Sequence, residues 1–233
     1  SARAAGEMDL TRANVMRRFL MGLGLCAIVA CRHGGLSPAA DALPDSAFVL
    51  PGAFSEHTTV ADLQARFGAP NVKLADVPDA FSGTRPGVVL FPDDPTRRAY
   101  VRFYEQETLH HLASVTVNDA GSRWSGKLGV KIGTSFADLR QRNGAEFWFI
   151  GFDAEHEASV RDAWNAGALD VTEGDQLYFG VDLRLREPVK DISATAYPSS
   201  EESISSEDPR YPKLGELAFV SAITAWSSLD DEW

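Results

Sequence analysis

The spacing of apolar residues along the chain predicts two short helices. The first begins with a T-x-x-D capping box formed by Thr59 and Asp62, in which each residue bonds to the backbone N–H of the other. It ends at Gly68, because glycine, with a proline two positions later, does not continue a helix. Its apolar stripe, spaced i, i+3 and i+7, consists of Val60, Leu63 and Phe67.

The second helix is a near copy of the first, 76 positions later. Residues 58–69 read TTVADLQARFGA, and residues 134–145 read TSFADLRQRNGA. In the copy, Ser135 and Asp138 form the capping box, and Gly144 ends the helix. The apolar stripe of the copy starts with Phe136 and Leu139. The chain therefore contains a duplicated unit.

Strand-like patterns follow the first helix. Residues 71–86 are predicted to be a loop, and three strands are predicted at residues 88–91, 99–104 and 109–117. The period-2 rule places alternate residues of the last strand on one face, which consists of Leu109, His111, Ala113, Val115 and Val117. His111 is therefore expected to be a hydrogen-bonded core residue.

The pattern after the second helix is less regular. Residues 147–152 (FWFIGF) are apolar on both faces, which predicts a central strand covered on both sides. Residues 158–164 fit either a short helix or a loop. Residues 199–212 are acidic and rich in serine, which predicts a flexible loop, and residues 217–226 are predicted to be the last strand. Residues 176–186 show the clearest alternation, with an inward face of Leu177, Phe179, Val181, Leu183 and Leu185.

Together these elements predict an α+β fold of two tandem units. Each unit is a short capped helix packed on an antiparallel sheet of about three strands. The first unit covers residues 49–120 and the second covers residues 121–233. The pattern leaves open whether the two units share one sheet.

The N-terminal part of the chain indicates export. Residues 1–15 lack apolar periodicity and are interpreted as an upstream extension. Residues 16–30 have paired arginines before an apolar core that is too short to span a bilayer, which is typical of a signal peptide. Residues 28–31 (IVAC) favour a lipoprotein in which Cys31 is lipidated, and the alternative is cleavage after Ala42. Residues 31–48 are interpreted as a tether.

Composition limits the partners and the chemistry. After residue 30 the chain has 18 basic and 31 acidic residues, a net charge of −13, so nucleic acid is excluded as a partner. The membrane is expected to be reached only through a lipid anchor. The chain after Cys31 has no cysteine, which excludes disulfides and cysteine-ligated metals there.

The duplicated helix resembles a known family. The string G-x-[TS]-F-x-x-[VL]-x-x-x-x-G is present as Gly133, Ser135, Phe136, Leu139 and Gly144. It resembles the repeat helix of the β-lactamase-inhibitor-protein-like fold, and it is similar to an element of the small lipoprotein of the outer-membrane β-barrel assembly machinery. In the first copy, His57 replaces the leading glycine. The resemblance implies tandem helix-plus-sheet units that bind a partner enzyme or an assembly complex, and no contact residue of the family maps onto this sequence.

No catalytic, metal or cofactor motif is found in the sequence. On a strand, the side chains of His110 and His111 would point to opposite faces, so they could not hold one ion together. Residues 170–175 lack the alternating acids of a calcium loop, and Asp93-Asp94 between two prolines is typical of a turn. Neither a G-x-S-x-G elbow nor a cysteine nucleophile is present.

Tyrosine and arginine residues share strand faces and suggest a binding surface, because these types are enriched where binding energy concentrates. The candidate binding face consists of Tyr100, Arg102, Tyr104, Tyr178 and Arg184. The sequence therefore predicts a non-enzymatic, exported lipoprotein on the periplasmic side of a bacterial envelope, which binds an envelope protein or component through sheet faces. The alternative is an exported hydrolase whose site is assembled from scattered polar residues.

Overall fold

A single antiparallel sheet of nine strands spans the part of the chain that the computed structural model describes. The described residues are 43–79, 83–161, 163–170, 177–187 and 189–228. Both predicted cleavage sites, at Cys31 and after Ala42, therefore lie outside the described residues, as does the predicted signal peptide. Phe48, at the end of the predicted tether, is fully buried in the core.

The described chain contains three α-helices and nine strands. The helices are α1 (Val60–Phe67), α2 (Phe136–Asn143) and α3 (Leu214–Leu217). The strands are β1 (Val72–Asp79), β2 (Gly83–Leu90), β3 (Ala99–Glu105), β4 (His110–Val117), β5 (Trp148–Ile150), β6 (Glu157–Val160), β7 (Tyr178–Leu185), β8 (Ser203–Ser205) and β9 (Ala218–Trp226). Their order in the sheet is β1-β2-β3-β4-β9-β7-β6-β5-β8.

Both predicted helices are present, but only α1 has the complete capping box that was predicted for both. At α1, Asp62 N donates to Thr59 Oγ1 and Thr59 N donates to Asp62 Oδ2, so the capping box is complete. At α2, Asp138 N donates to Ser135 Oγ over 3.1 Å. The predicted stripes are confirmed where they face the core, because Leu63, Phe67, Phe136 and Leu139 are buried.

The predicted fold class is wrong. The chain does not form two units that each have a helix on a three-stranded sheet. Instead, β9 lies between β4 and β7 and pairs with both, so strands from the two halves of the chain form one sheet. Backbone pairing at this junction leaves no sheet edge exposed between the halves, and exposed edges are a liability in β proteins.

Four predictions for individual segments are also wrong. Residues 71–86, predicted to be a loop, contain β1 and the start of β2. Pro78 is tolerated within β1 because β1 is an edge strand. Residues 147–152 contain only the short β5, next to last in the sheet. Residues 158–164 contain the end of β6. Residues 199–212 contain β8, which is anchored by the buried Ile204.

The core lies on one face of the sheet, and the opposite face is called the outer face. Buried residues of all three helices belong to the same hydrophobic cluster as the inward residues of the strands. In β7 the predicted inward residues, from Phe179 to Leu185, are buried, as is Leu177 beside it. Strand register then places the alternate residues of β3, β4, β9 and β7 on the outer face, among them Tyr100, Thr116, Thr224 and Asp182.

Candidate functional site

The outer face is concave and contains a groove of about 360 Å³. The groove is lined mainly by polar residues: Asp79, Tyr100, Arg102, Thr116, Asn118, Glu157, Arg161, Asp182 and Thr224, with Pro78 and Ala222. Asp79 belongs to β1 and Glu157 to β6, six places away in the strand order. A flat sheet would separate these strands by about 29 Å. Both line one groove because the end of the β1–β2 hairpin folds back over the outer face of β3, where Asp79 contacts Arg102.

The hairpin of β1 and β2 forms one wall of the groove. β2 pairs with β3 only over Val88–Leu90, so the rest of the hairpin extends beyond that pairing. Asp79, at the end of β1, reaches the middle of the outer face, where Arg102 Nη1 donates to its Oδ2 over 2.7 Å. The Asp79 side chain is only 1% exposed and is also 3.3 Å from Arg85 Nε. This buried ion pair fixes the hairpin against the sheet.

The opposite wall contains two further ion pairs. Arg161 Nη2 donates to Asp182 Oδ1 over 2.7 Å, and Arg184 pairs with Glu157. On the neighbouring strand β4, Ser114 Oγ accepts a hydrogen bond from Arg102 Nε over 2.8 Å. The charges named on this face thus form pairs of opposite sign. The face is therefore close to neutral, although the chain after residue 30 carries a net charge of −13.

Aromatic residues lie beside the groove on β7 and β9. The rings of Tyr178 and Trp226 stack with centroids 5.7 Å apart and an interplanar angle of 17°. The Arg161 guanidinium lies 5.5 Å from the centre of the Trp226 ring, within the range of a cation–π contact. Sequence reasoning missed Trp226 as a site residue. The alternation of β9 could have predicted it, because this pattern places Thr224 and Trp226 on the same face.

The structure places the five residues of the predicted binding face on the outer face. Tyr100 and Arg102 line the groove, and Tyr178 lies beside it in the aromatic stack. Tyr104 donates from its hydroxyl to the carbonyl oxygen of Ser227 over 3.1 Å. Arg184 is paired with Glu157. The groove residues from β1, β4 and β6 were not predicted as site residues. The β1 segment was assigned to a loop, β6 was not predicted as a strand, and Thr116 on β4 was not considered for binding.

The predicted arrangement of the two histidines is wrong. His111 has a positive φ of 54° and an exposed side chain, so it is not a core residue. A register shift between β3 and β4 ends the simple alternation there. Both rings approach Glu105, with N–O distances of 3.7 Å for His110 and 3.5 Å for His111. The described residues nevertheless contain no group of three or more His, Cys, Asp or Glu side chains suited to a metal ion.

Of the two other segments considered for chemistry, Asp93-Asp94 lies in the predicted turn. Asp94 Oδ1 accepts hydrogen bonds from the hydroxyl and the backbone N–H of Thr96, which confirms the predicted turn. The hydroxyl bond and Arg97 lower the pKa of Asp94 against the opposing effect of burial. Of residues 170–175, which lack the alternating acids of a calcium loop, only Asp170 lies within the described residues.

No protein-family model, curated protein or solved structure matches this chain. Among the described residues, no helix has the length and apolar character that crossing a membrane requires. The outer face is therefore the feature from which function is inferred.

Proposed function

We propose that this protein is a non-enzymatic component of the bacterial envelope that binds another protein through the concave outer face of its sheet. The observation that carries the proposal is the outer face itself. It surrounds a groove of about 360 Å³, while the helices pack on the opposite face. Concave surfaces are the usual location of binding sites.

The residue types on this face favour a protein partner. Tyr100, Tyr178 and Trp226 offer aromatic surface, and Arg102 and Arg161 lie among them. Tyrosine, tryptophan and arginine are the types that most often dominate protein–protein binding energy. Because the arginines named on this face are paired with carboxylates, a partner of mixed charge fits better than a polyanion.

A hydrolase is the second candidate, because Asp79, Glu157 and Asp182 all line the groove. Each of these carboxylates bonds to an arginine. Their oxygens are therefore partly occupied by protein groups rather than presented to a substrate, which favours binding over catalysis. Screening the full chain against generic ester, peptide and glycoside substrates tests this candidate. A hydrolytic activity abolished by Glu157→Gln or Asp182→Asn would support it.

The proposal includes export and anchoring through Cys31. The support is the sequence pattern of residues 16–31, with paired arginines, a short apolar core and IVAC. Two acyl chains would hold the protein at a membrane surface. The sheet would then bind its partner on the periplasmic side.

Site-directed photo-crosslinking in intact cells tests the binding proposal. A photoreactive amino acid replaces Tyr100 in the groove or, as a matched control, the exposed Gln141 on α2. The proposal predicts one dominant crosslinked protein from position 100 and none of that mass from position 141. Equal crosslinking at both positions, or none at either, would contradict it.

A further inference from the structure

An exposed apolar pair lies at the β5 end of the outer face. Trp148 is 44% exposed and Ile150 is 49% exposed, and they are two positions apart on the same side of β5. Between them Phe149 points to the core, where its ring lies 5.3 Å from that of Phe136. The apolar sequence FWFIGF at residues 147–152 predicted a strand buried on both faces. In the described chain, only the face with Phe149 is buried.

Two small cavities meet at this pair. One of about 120 Å³ is lined by Trp148, Ile150, Ala163 and Arg161, among others. The other, of about 310 Å³, is lined by Ile150, Arg161, Asp153, Glu157 and Asp182, among others. Ile150 and Arg161 line both, so an apolar cavity and an acidic cavity are direct neighbours. Arg161 also lines the central groove, which joins this surface to the candidate site.

The second cavity has an excess of negative charge. Asp182 Oδ1 accepts from Arg161, Glu157 Oε1 accepts from Arg184, and Asp153 Oδ1 accepts two backbone N–H bonds within its own turn. Within the described chain, the second oxygen of each carboxylate has no hydrogen-bond donor. A positively charged group in this cavity would therefore find acceptors that are already oriented.

We propose that Trp148, Ile150 and this acidic cavity dock a basic, apolar segment of the partner protein. An apolar side chain of the segment packs between Trp148 and Ile150, and a neighbouring arginine or lysine enters the acidic cavity. The Trp148 ring adds a cation–π surface. The net charge of −13 after residue 30 attracts a basic segment and repels a second copy of the chain. This inference rests on the proposed function and names the chemistry of the partner.

Short synthetic peptides test the inference on the full chain. One peptide alternates leucine with arginine, a second alternates leucine with glutamate, and a third alternates glutamine with arginine. Binding is followed at low and high salt by the fluorescence anisotropy of a dye attached to the peptide, a readout that does not depend on Trp148. The test variant is Trp148→Gln with Ile150→Thr. The control is Leu74→Gln, which changes another exposed apolar residue at the far end of the sheet.

The leucine–arginine peptide is expected to bind best and to weaken with salt. The double variant should weaken it about tenfold or more, while Leu74→Gln has no effect. Equal binding of the leucine–glutamate peptide, or unchanged binding to the double variant, would overturn the inference. Dimerisation of the chain through Trp148 would also overturn it. If the peptides do not bind but position 100 still crosslinks to one partner, only this inference is overturned. If that crosslink is absent, the proposed function itself is contradicted.

Discussion

The indole ring of Trp226 lies directly over Gly180 on the neighbouring strand. A Cβ atom at position 180 would lie 2.7 Å from Cζ3 and 2.9 Å from Cη2 of the ring, closer than such atoms approach. The bare backbone at Gly180 thus gives Trp226 the space to lie across β7 and stack on Tyr178. This contact brings the aromatic surface to the edge of the groove.

Replacing Gly180 with alanine should therefore destabilise the fold. The added methyl would meet both the indole and the carbonyl oxygen of Val160, at 2.6 Å. We expect Gly180→Ala to lower the free energy of unfolding by about 2 kcal/mol, as overpacking does elsewhere. Urea unfolding measures the loss. In a Trp226→Leu background part of the cost should disappear, and a full cost there would show that the indole is not the obstacle.

The ion pair of Asp79 and Arg102 should matter far more than exposed pairs on the same face. The Asp79 side chain is 1% exposed, so removing Arg102 takes a charged hydrogen-bond donor away from a buried carboxylate. We expect Arg102→Met to cost about 3 kcal/mol in the free energy of unfolding. The matched control is Arg161→Met, whose pair with Asp182 is more exposed and should cost less than about 1 kcal/mol. Similar costs for both would contradict the buried role of Asp79.

The cap of α1 should give a pH-dependent contribution to stability. Hydrogen bonds from the Thr59 hydroxyl and backbone N–H lower the pKa of Asp62. A carboxyl group with a lowered pKa in the folded state stabilises the protein above its unfolded pKa of about 4. This contribution is lost as the pH falls through the folded value.

Thr59→Ala should accordingly cost about 1 kcal/mol at neutral pH, and this cost should shrink as the pH falls below about 4. Urea unfolding of the variant and the natural protein at several pH values measures it. Ser135→Ala at α2 is the control, since the described bond there is donated by the backbone N–H of Asp138. A cost at Thr59 that is constant with pH would refute the role of the Asp62 carboxylate.

Anchoring through Cys31 predicts a change in cell fractionation. Cys31→Ala should move the protein from the membrane fraction to the soluble fraction and abolish incorporation of labelled fatty acid, because the proposed lipid would be attached to that thiol. Cys26→Ala, within the apolar core, is the matched control and should leave labelling intact. Unchanged labelling of Cys31→Ala would favour the alternative cleavage after Ala42.

Local signals in the sequence were sufficient for the two capped helices, α1 and α2, and for the clearest strands, whereas α3 was not predicted. The caps at Thr59 and Ser135 depend on residues three positions apart, and the alternation of β7 depends on its own side chains. The pairing of β4 with β9 joins residues more than 100 positions apart, as Thr116 and Thr224 show, and no local pattern reports it. The single sheet was therefore beyond local reasoning.

The candidate site was predicted in part for the same reason. Alternation correctly placed Tyr100 and Arg102 on one face. Asp79 was missed because its strand contains Pro78 and looked like a loop, and Glu157 was missed because β6 is only four residues long. The groove arises because the end of the β1–β2 hairpin folds back over the outer face, and this folding has no signature in a single sequence.

Capture from native envelope extract tests the central claim, that the outer face is the binding surface, most directly. The immobilised proteins are the natural chain, Thr116→Arg in the groove, and Gln141→Arg on the exposed side of α2 as a matched control. An arginine at position 116 would fill the groove and add an unpaired charge. The account predicts a stoichiometric partner that binds the natural chain and Gln141→Arg but not Thr116→Arg. Capture of the same partner by Thr116→Arg with undiminished affinity would contradict it.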